Sequence, residues 1–255
     1  MKPSKIALIT GASSGIGLAC AERFAAGGWN LLLTARRVEK LHQLATRLQE
    51  KYDVQVHTFV SDVRQQSEAL RLSDWIKQQG MVPDLLINNA GLAVGLDPIH
   101  TAETDDWERM IDTNLKGLLY VTRAISPMMV ERRSGHIINI GSIAGKEAYP
   151  NGNVYCATKH AVDGLTRAMR MDLYMHGIRV TQVAPGAVET EFSEVRFKGD
   201  KPRAAKVYEN FRPLSAADVA DAVWYCANVP VHVSIHDMVI MPSAQASAML
   251  IHRGE

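Results

Sequence analysis

Three cysteines in 255 residues, Cys20, Cys156 and Cys226, are too few and too scattered to organise the chain. They are odd in number and form no Cys-x-x-Cys pair, so neither a zinc site nor a disulfide framework is indicated, and a reducing, cytoplasmic setting fits. Charge of one sign is also missing. With 28 basic and 27 acidic residues the net charge is +1, which gives no global field toward nucleic acid or an acidic membrane surface. Long hydrophobic runs are absent: nothing approaches the roughly 20 apolar residues needed to cross a bilayer. The opening Met-Lys-Pro-Ser-Lys-Ile-Ala-Leu-Ile-Thr-Gly has two lysines before an apolar run. That run, of about five residues, is shorter than the apolar region of a signal peptide and passes into glycines without a cleavage-like site, so it reads as a buried first strand. Linkers, low-complexity tracts and internal repeats are lacking too, which leaves one continuous domain over 1–255.

What is present is an alternation of apolar runs and amphipathic stretches. Ile6–Ile9, Leu31–Leu33, Val54–Phe59, Leu85–Ile87, His136–Ile140, Arg179–Val183 and Met238–Ile240 read as buried strands. Helical stretches lie between them, among them Val38–Gln49 and Asp106–Val130. This pattern predicts βαβ crossovers and an α/β fold, a Rossmann-type doubly wound parallel sheet of about seven strands with helices on both faces. Hydrophobic residues make up 47% of the chain, enough for a sizeable core. Two segments stand apart. Residues 191–213 are polar and broken by Gly199 and Pro202, and they read as a lid over a site. Residues 244–255 follow the last strand and read either as a subunit contact or as a frayed tail.

Thr10-Gly11-Ala12-Ser13-Ser14-Gly15-Ile16-Gly17 joins the first strand to a helix starting near Ile16. Glycines there allow a tight turn and close approach of a pyrophosphate, and the helix N-terminus supplies free N–H groups. The spacing is G-x-x-x-G-x-G, which differs from the common G-x-G-x-x-G. The end of the second strand should decide between the two nicotinamide dinucleotides. The position where a carboxylate would hold a ribose 2′-hydroxyl is Ala35, and Arg36 and Arg37 follow it. A guanidinium suits a 2′-phosphate, so the cofactor expected is NADP(H).

Tyr155 and Lys159 are four residues apart, hence on one face if helical. A free tyrosine, with a pKa of about 10, is a poor base near neutrality, and a nearby ammonium is expected to lower it. Ser142 ends the fifth strand, at the carboxyl edge of the sheet where ligands of open α/β folds bind, and its hydroxyl is placed to hold the oxygen that Tyr155 protonates.

The glycine loop, Asn88-Asn89-Ala90-Gly91, Asn114, Ser142, Tyr155-x-x-x-Lys159 and Pro185-Gly186 occur in this order. Together they resemble the short-chain dehydrogenase/reductase family over essentially the whole chain. The resemblance implies Tyr155 as acid/base, Lys159 as binder of the nicotinamide ribose and tuner of Tyr155, Ser142 as substrate orienter, and Asn114 as holder of a water in a proton relay. It also implies that Asp62 and Val63 meet adenine, that Asn89, Ala90 and Gly91 line the adenosine ribose, and that Pro185, Gly186, Val188 and Thr190 hold the nicotinamide end. Ser13 and Ser14 depart from the many NADP-preferring members with a basic residue in this loop, which puts phosphate recognition on Arg36 and Arg37. A homotetramer is implied as well.

Longer strings, including Met110-Ile111-Asp112-Thr113-Asn114 and Glu191-Phe192-Ser193-Glu194-Val195-Arg196-Phe197-Lys198-Gly199-Asp200, are similar to the NADP-dependent 3-hydroxy acid dehydrogenases, also described as serine or L-allo-threonine dehydrogenases. That similarity implies a 3-hydroxy acid, or the matching carbonyl such as malonic semialdehyde, as the small-molecule partner. Its carboxylate calls for a cation; Arg196 or Lys198 is expected to reach it, and Lys146, just after Ser142, is a further basic residue nearby. Other readings are a broad carbonyl or ketone reductase and, from a different class, a non-catalytic NADPH-binding sensor.

Overall fold

Side-chain alternation along the second strand shows how the layers form. Leu31 and Leu33 point to one face and Leu32 to the other, and all three are fully buried. A strand buried on both faces needs a layer on each side. The computed structural model, which describes residues 5–254, supplies both; Met1–Ser4, the head of the expected first-strand reading, and Glu255, the end of the tail, lie outside the described residues. In chain order come β1 (Ile6–Thr10), α1 (Gly15–Ala26), β2 (Asn30–Ala35), α2 (Val38–Lys51), β3 (Val56–Val60), α3 (Gln66–Gln78) and β4 (Leu85–Asn88). Then follow α4 (Thr104–Ile111), α5 (Leu118–Arg132), β5 (Gly135–Ile140), α6 (Asn153–Leu173) and β6 (Ile178–Pro185). The chain ends with β7 (Val188–Glu189), α7 (Phe192–Arg196), α8 (Lys201–Lys206), β8 (Leu214–Ser215), α9 (Ala216–Asn228) and β9 (Asp237–Ile240).

Seven strands form one parallel sheet in the order β3-β2-β1-β4-β5-β6-β9. One face packs on α1, α2 and α9 through Phe24, Leu41, Leu48 and Val223. The other packs on α3, α5 and α6 through Leu72, Ile125, Met129 and Val162. Strand order reverses between β1 and β4, which opens a crevice at their carboxyl ends, the place where such sheets bind ligands.

Most strands run one or two residues past the sequence reading, and three differences matter more. The third strand starts at Val56 rather than Val54. The expected helix over 106–130 begins at Thr104 and is interrupted by a π-helical segment, Asp112–Gly117. Such a bulge is invisible to a 3.6-residue period, because it adds one residue to a turn without changing which residue types are tolerated. Gly117 belongs there: a Cβ on it would lie 2.8 Å from Val63 Cγ2. The tail 244–254 is folded back on the body rather than frayed: Ala187 N–H donates to Gln245 Oε1 at 2.8 Å, Ala248 N–H to Glu147 Oε2 at 2.8 Å and Gly254 N–H to Asn210 O at 2.9 Å.

Segment 191–213 carries α7 and α8, and its ends are tied by the parallel pairing of β7 with β8, Val188 against Leu214 and Glu189 against Ser215. A long excursion whose two feet are joined can hold its own shape.

Candidate active site

Two loops build the cofactor end of the crevice. Gly11 and Gly15 have φ of +66° and +53°, conformations that L side chains rarely adopt. Gly17 admits no side chain, since a Cβ would lie 2.4 Å from both Asn89 Nδ2 and Gly11 O. Asn89 is the brace: its Nδ2 donates to Thr10 O at 2.9 Å, while its backbone N–H and that of Ala90 both donate to Thr10 Oγ1 at 3.0 Å. The Asn88-Asn89-Ala90-Gly91 loop thus fixes the glycine turn from behind. One cavity of about 520 Å³ runs from this turn past Ser142 and Tyr155 to Arg196. An α1 N-terminus with no side-chain cap opens toward it.

At the end of β2, Ala35 leaves room and no negative charge. Arg36 is exposed, 4.0 Å from Asp62, whose carboxylate is gripped by Arg64 at 2.6 Å. Burial raises the Asp62 carboxyl, but hydrogen bonds from Arg64 outweigh it and hold the group below its ordinary value. Arg37 departs from the simple expectation. Its Nε donates to Ser13 Oγ at 3.1 Å and its Nη1 to Glu191 Oε2 at 2.8 Å, so it crosses the cavity mouth instead of pairing with Arg36.

Tyr155 and Lys159 lie on the first turns of α6, which docks against the 3₁₀ turn Ile143–Gly145 that follows β5. That docking is close: a Cβ on Gly145 would sit 2.5 Å from Lys159 O. Ser142 caps the turn, its Oγ accepting from Ala144 N–H at 3.1 Å. Lys159 Nζ donates to Ile140 O, the last carbonyl of β5, at 2.9 Å and stands 6.0 Å from the Tyr155 ring centroid. Burial brings the Lys159 ammonium down to about 8. The Tyr155 phenol lies beside this ammonium. Burial raises that phenol, neighbouring Tyr149 adds to the rise, and the groups that pull it down are Ser142 and Arg196.

Asn114 sits in the π-helical segment with both ends of its amide hydrogen-bonded. Its Oδ1 accepts from Leu92 N–H at 2.8 Å, and its Nδ2 donates to Leu92 O at 2.8 Å and to Thr158 Oγ1 at 3.1 Å. It therefore locks the Asn89–Leu92 loop to α6.

The three cations expected near a substrate carboxylate separate cleanly. Lys146 is held by Asp163 and Asp237. Lys198, in a left-handed conformation with φ of 55°, reaches Asp106 at 2.8 Å and faces away from the cavity. Arg196 lines the cavity: its Cζ lies 5.5 Å from the Tyr155 ring centroid and 5.4 Å from that of Tyr149, and its Nη2 donates to the Tyr149 hydroxyl at 2.7 Å. Its Nε is buried without a partner.

Gly11, Ser13, Ser14, Gly15, Ile16, Arg36, Arg37, Asp62, Val63, Asn89, Ala90, Gly91, Ser142, Tyr155, Lys159, Pro185, Gly186, Val188, Thr190 and Arg196 line this one cavity. Gly17 and Asn114 stand behind its wall. The sequence reading missed Tyr149, Glu191 and Gln245 as lining residues. Gly186 carried a trace of the last, because a Cβ there would lie 2.5 Å from Gln245 Oε1.

The family described as short chain dehydrogenase matches residues 5–201. The NADP-dependent 3-hydroxy acid dehydrogenase YdfG of Salmonella typhi is 47% identical over 250 residues, covering 97% of this chain and 99% of the relative. Sulfoacetaldehyde reductase 2 of Chromohalobacter salexigens is 44% identical, covering 98% and 99%. Among solved structures, the closed form of serine dehydrogenase complexed with NADP+ superimposes with a TM-score of 0.91 at 44% identity, covering 97% of this chain and 99% of that one.

Proposed function

The chain belongs to the short-chain dehydrogenase family, and from that premise we propose that it is an NADP(H)-dependent oxidoreductase that interconverts a hydroxyl and a carbonyl on short 3-hydroxy acids. Serine, L-allo-threonine and the 3-hydroxypropionate/malonic semialdehyde pair are the substrates of that class we name. The observation that carries the substrate class is Arg196, the one of the three cations that lines the cavity, with its guanidinium 5.5 Å from the Tyr155 ring centroid.

The residues fit the cofactor. The Gly11–Gly17 turn offers a cradle that any Cβ at Gly17 would fill, the α1 N-terminus supplies N–H groups, and Arg36 and Arg37 line the cavity next to Ala35, which stands where a carboxylate would repel a 2′-phosphate. When bound, NADP(H) supplies the hydride chemistry at its nicotinamide. This chain's residues handle the proton. Ser142 holds the substrate oxygen, and the Tyr155 hydroxyl gives a proton to it or takes one from it. Lys159, anchored on Ile140 O, keeps a positive charge beside the phenol and binds the ribose. Asn114 positions Leu92 and α6 so that these groups meet. A buried phenol whose ordinary ionisation is suppressed needs such a charge before it can act as a base near neutrality.

Residues 191–213 act as the lid that brings Arg196 over the substrate. Support for a homotetramer lies in exposed apolar side chains at the end of α6, Met171, Tyr174 and Met175. Cys20, Cys156 and Cys226 are free and buried, in keeping with a reducing, cytoplasmic setting. The test is a spectrophotometric screen of NADP+ reduction with L-serine, L-allo-threonine, 3-hydroxyisobutyrate, 3-hydroxypropionate, isethionate and simple secondary alcohols. Turnover of the hydroxy acids with poor use of neutral alcohols is expected. Poor acids and good neutral alcohols would favour a broad carbonyl reductase, and preference for isethionate would move the substrate class to sulfonates.

A further inference from the structure

Glu191 is the first residue of the lid, and it is not on the wall from which its partners come. Arg37 and Lys40 belong to the opposite wall, at the N-cap and first turn of α2. Arg37 Nη1 meets one carboxylate oxygen, Oε2, at 2.8 Å, and Lys40 Nζ meets the other, Oε1, at 3.0 Å. Arg37 Nε is also bonded to Ser13 Oγ in the glycine loop. A chain of polar contacts thus runs from glycine loop to α2 to lid, across the mouth of the cavity that Ser13, Arg37 and Glu191 all line. The two cations hold the Glu191 carboxyl at about 2, so it is charged at every working pH.

The fold does not need this network. The foot of the lid is already tied by the β7–β8 pairing and by Tyr208, whose hydroxyl donates to Val188 O at 2.8 Å and shares a 2.7 Å hydrogen bond with Ser193. All three charged side chains are close to half exposed, 42%, 45% and 49%, so as an isolated surface network they contribute little to folding stability. Their position gives them a different use. A dinucleotide lying in the glycine cradle would share the cavity that Arg37 and Glu191 both line, so opening of their bridge would be a step in its release. Two cations against one carboxylate leave a surplus positive charge beside the cavity, and with Nη1 on Glu191 and Nε on Ser13 the Arg37 Nη2 is the nitrogen left for the cofactor.

We propose that Glu191, Arg37 and Lys40 form a clasp that closes over the bound dinucleotide and sets the rate at which it is released. This rests on the NADP(H) reading above. It divides the two arginines: Arg36 serves the 2′-phosphate, and Arg37 serves mainly the clasp.

The test is the NADPH dissociation rate of the intact protein, followed by stopped-flow loss of NADPH fluorescence on displacement with excess NADP+. Glu191→Gln is expected to raise the rate about five- to twentyfold with the association rate changed less than about twofold. Lys40→Gln, which frees one oxygen, should raise it about two- to threefold, and Glu191→Asp should fall between wild type and Glu191→Gln. Because the clasp spans the dinucleotide rather than the 2′-phosphate, NADH release should accelerate by a similar factor in Glu191→Gln. An unchanged dissociation rate with an unchanged Tm would overturn the clasp. So would tighter NADPH binding by Glu191→Gln with NADH unaffected, which would make Glu191 a competitor of the 2′-phosphate. Failure of wild type to bind NADPH at all would instead sink the functional reading.

Discussion

The sheet edge and the lid are held by different forces. At the edge, Ser142, Tyr155, Lys159 and Asn114 are all at most 8% exposed and are joined by hydrogen bonds to backbone groups at Ala144, Ile140 and Leu92. These contacts are short-ranged, dry and insensitive to salt. The 191–213 segment adds to its neutral contacts, Tyr208 to Val188 O and Gly95 N–H to Arg196 O, a set of ion pairs that the edge lacks, Glu191 to Arg37 and Lys40 at its start and Lys198 to Asp106 further on. Such pairs are individually weak and easily reopened. On the proposed function, proton handling falls to the buried edge groups, and selection of the substrate's charged end to a guanidinium carried on the more exposed segment. Cofactor and substrate must enter and leave, so a site built only from the first kind of contact would be slow.

Four outcomes would break or sharpen this division. The largest concerns the edge. Tyr155→Phe should lower kcat by about 10³-fold for every substrate while leaving the NADPH Kd within about twofold, as measured by fluorescence titration. Retained turnover would remove Tyr155 from the proton path. Next is the lid. Arg196→Ala should lower kcat/KM for a hydroxy acid by about 10²-fold through KM, and change a neutral alcohol by less than about threefold.

The third concerns the rigidity of the sheet itself. His136, on β5, is buried with its Nε2 2.8 Å from Thr181 Oγ1. Burial, helped by Arg179, takes its pKa from 6.5 down to about 3. The unfolded chain therefore binds a proton that the fold refuses between these values. Stability contributed above pH 6.5 is lost as pH falls toward 3, with a slope of up to about 1.4 kcal/mol per pH unit. His136→Gln should flatten the chemical-denaturation stability curve between pH 6 and 4.5 by about one proton, and superimposable curves would show that His136 carries none of it. The smallest effect is expected at the lid's second anchor. Lys198→Ala frees Asp106 and loosens the stretch where Gly95 N–H donates to Arg196 O at 2.9 Å. KM for hydroxy acids should rise about threefold with kcat unchanged; a fall in kcat for neutral alcohols as well would show that Lys198 acts beyond positioning Arg196.

Much of the edge was legible in the sequence, because its signals are local. Buried strands declare themselves as apolar runs such as Leu31–Leu33, the glycine turn must follow the first of them, and Tyr155 with Lys159 shares a helix face at any tertiary arrangement. The lid was less so. Arg196 and Lys198 are two residues apart and chemically alike, and only the left-handed turn at Lys198 and the buried Asp106 separate them. The bridge from Arg37 to Glu191 was hidden because the two are 154 residues apart. Gln245 gave no pattern, since its place is set by the Pro185-Gly186 turn against which it packs. The π-helical segment at Asn114 was hidden because the residues on either side keep a helical apolar pattern, which does not register one extra residue in a turn.

The division of labour is tested most directly by one ratio. This is kcat/KM for 3-hydroxypropionate over kcat/KM for 1-propanol with NADP+, in wild type and in Arg196→Ala. A large ratio in wild type that collapses by about 10²-fold in Arg196→Ala, with 1-propanol turnover preserved, is the expected result. A ratio that survives the substitution would contradict it, because the charged end of the substrate would then be read by something other than the lid's guanidinium.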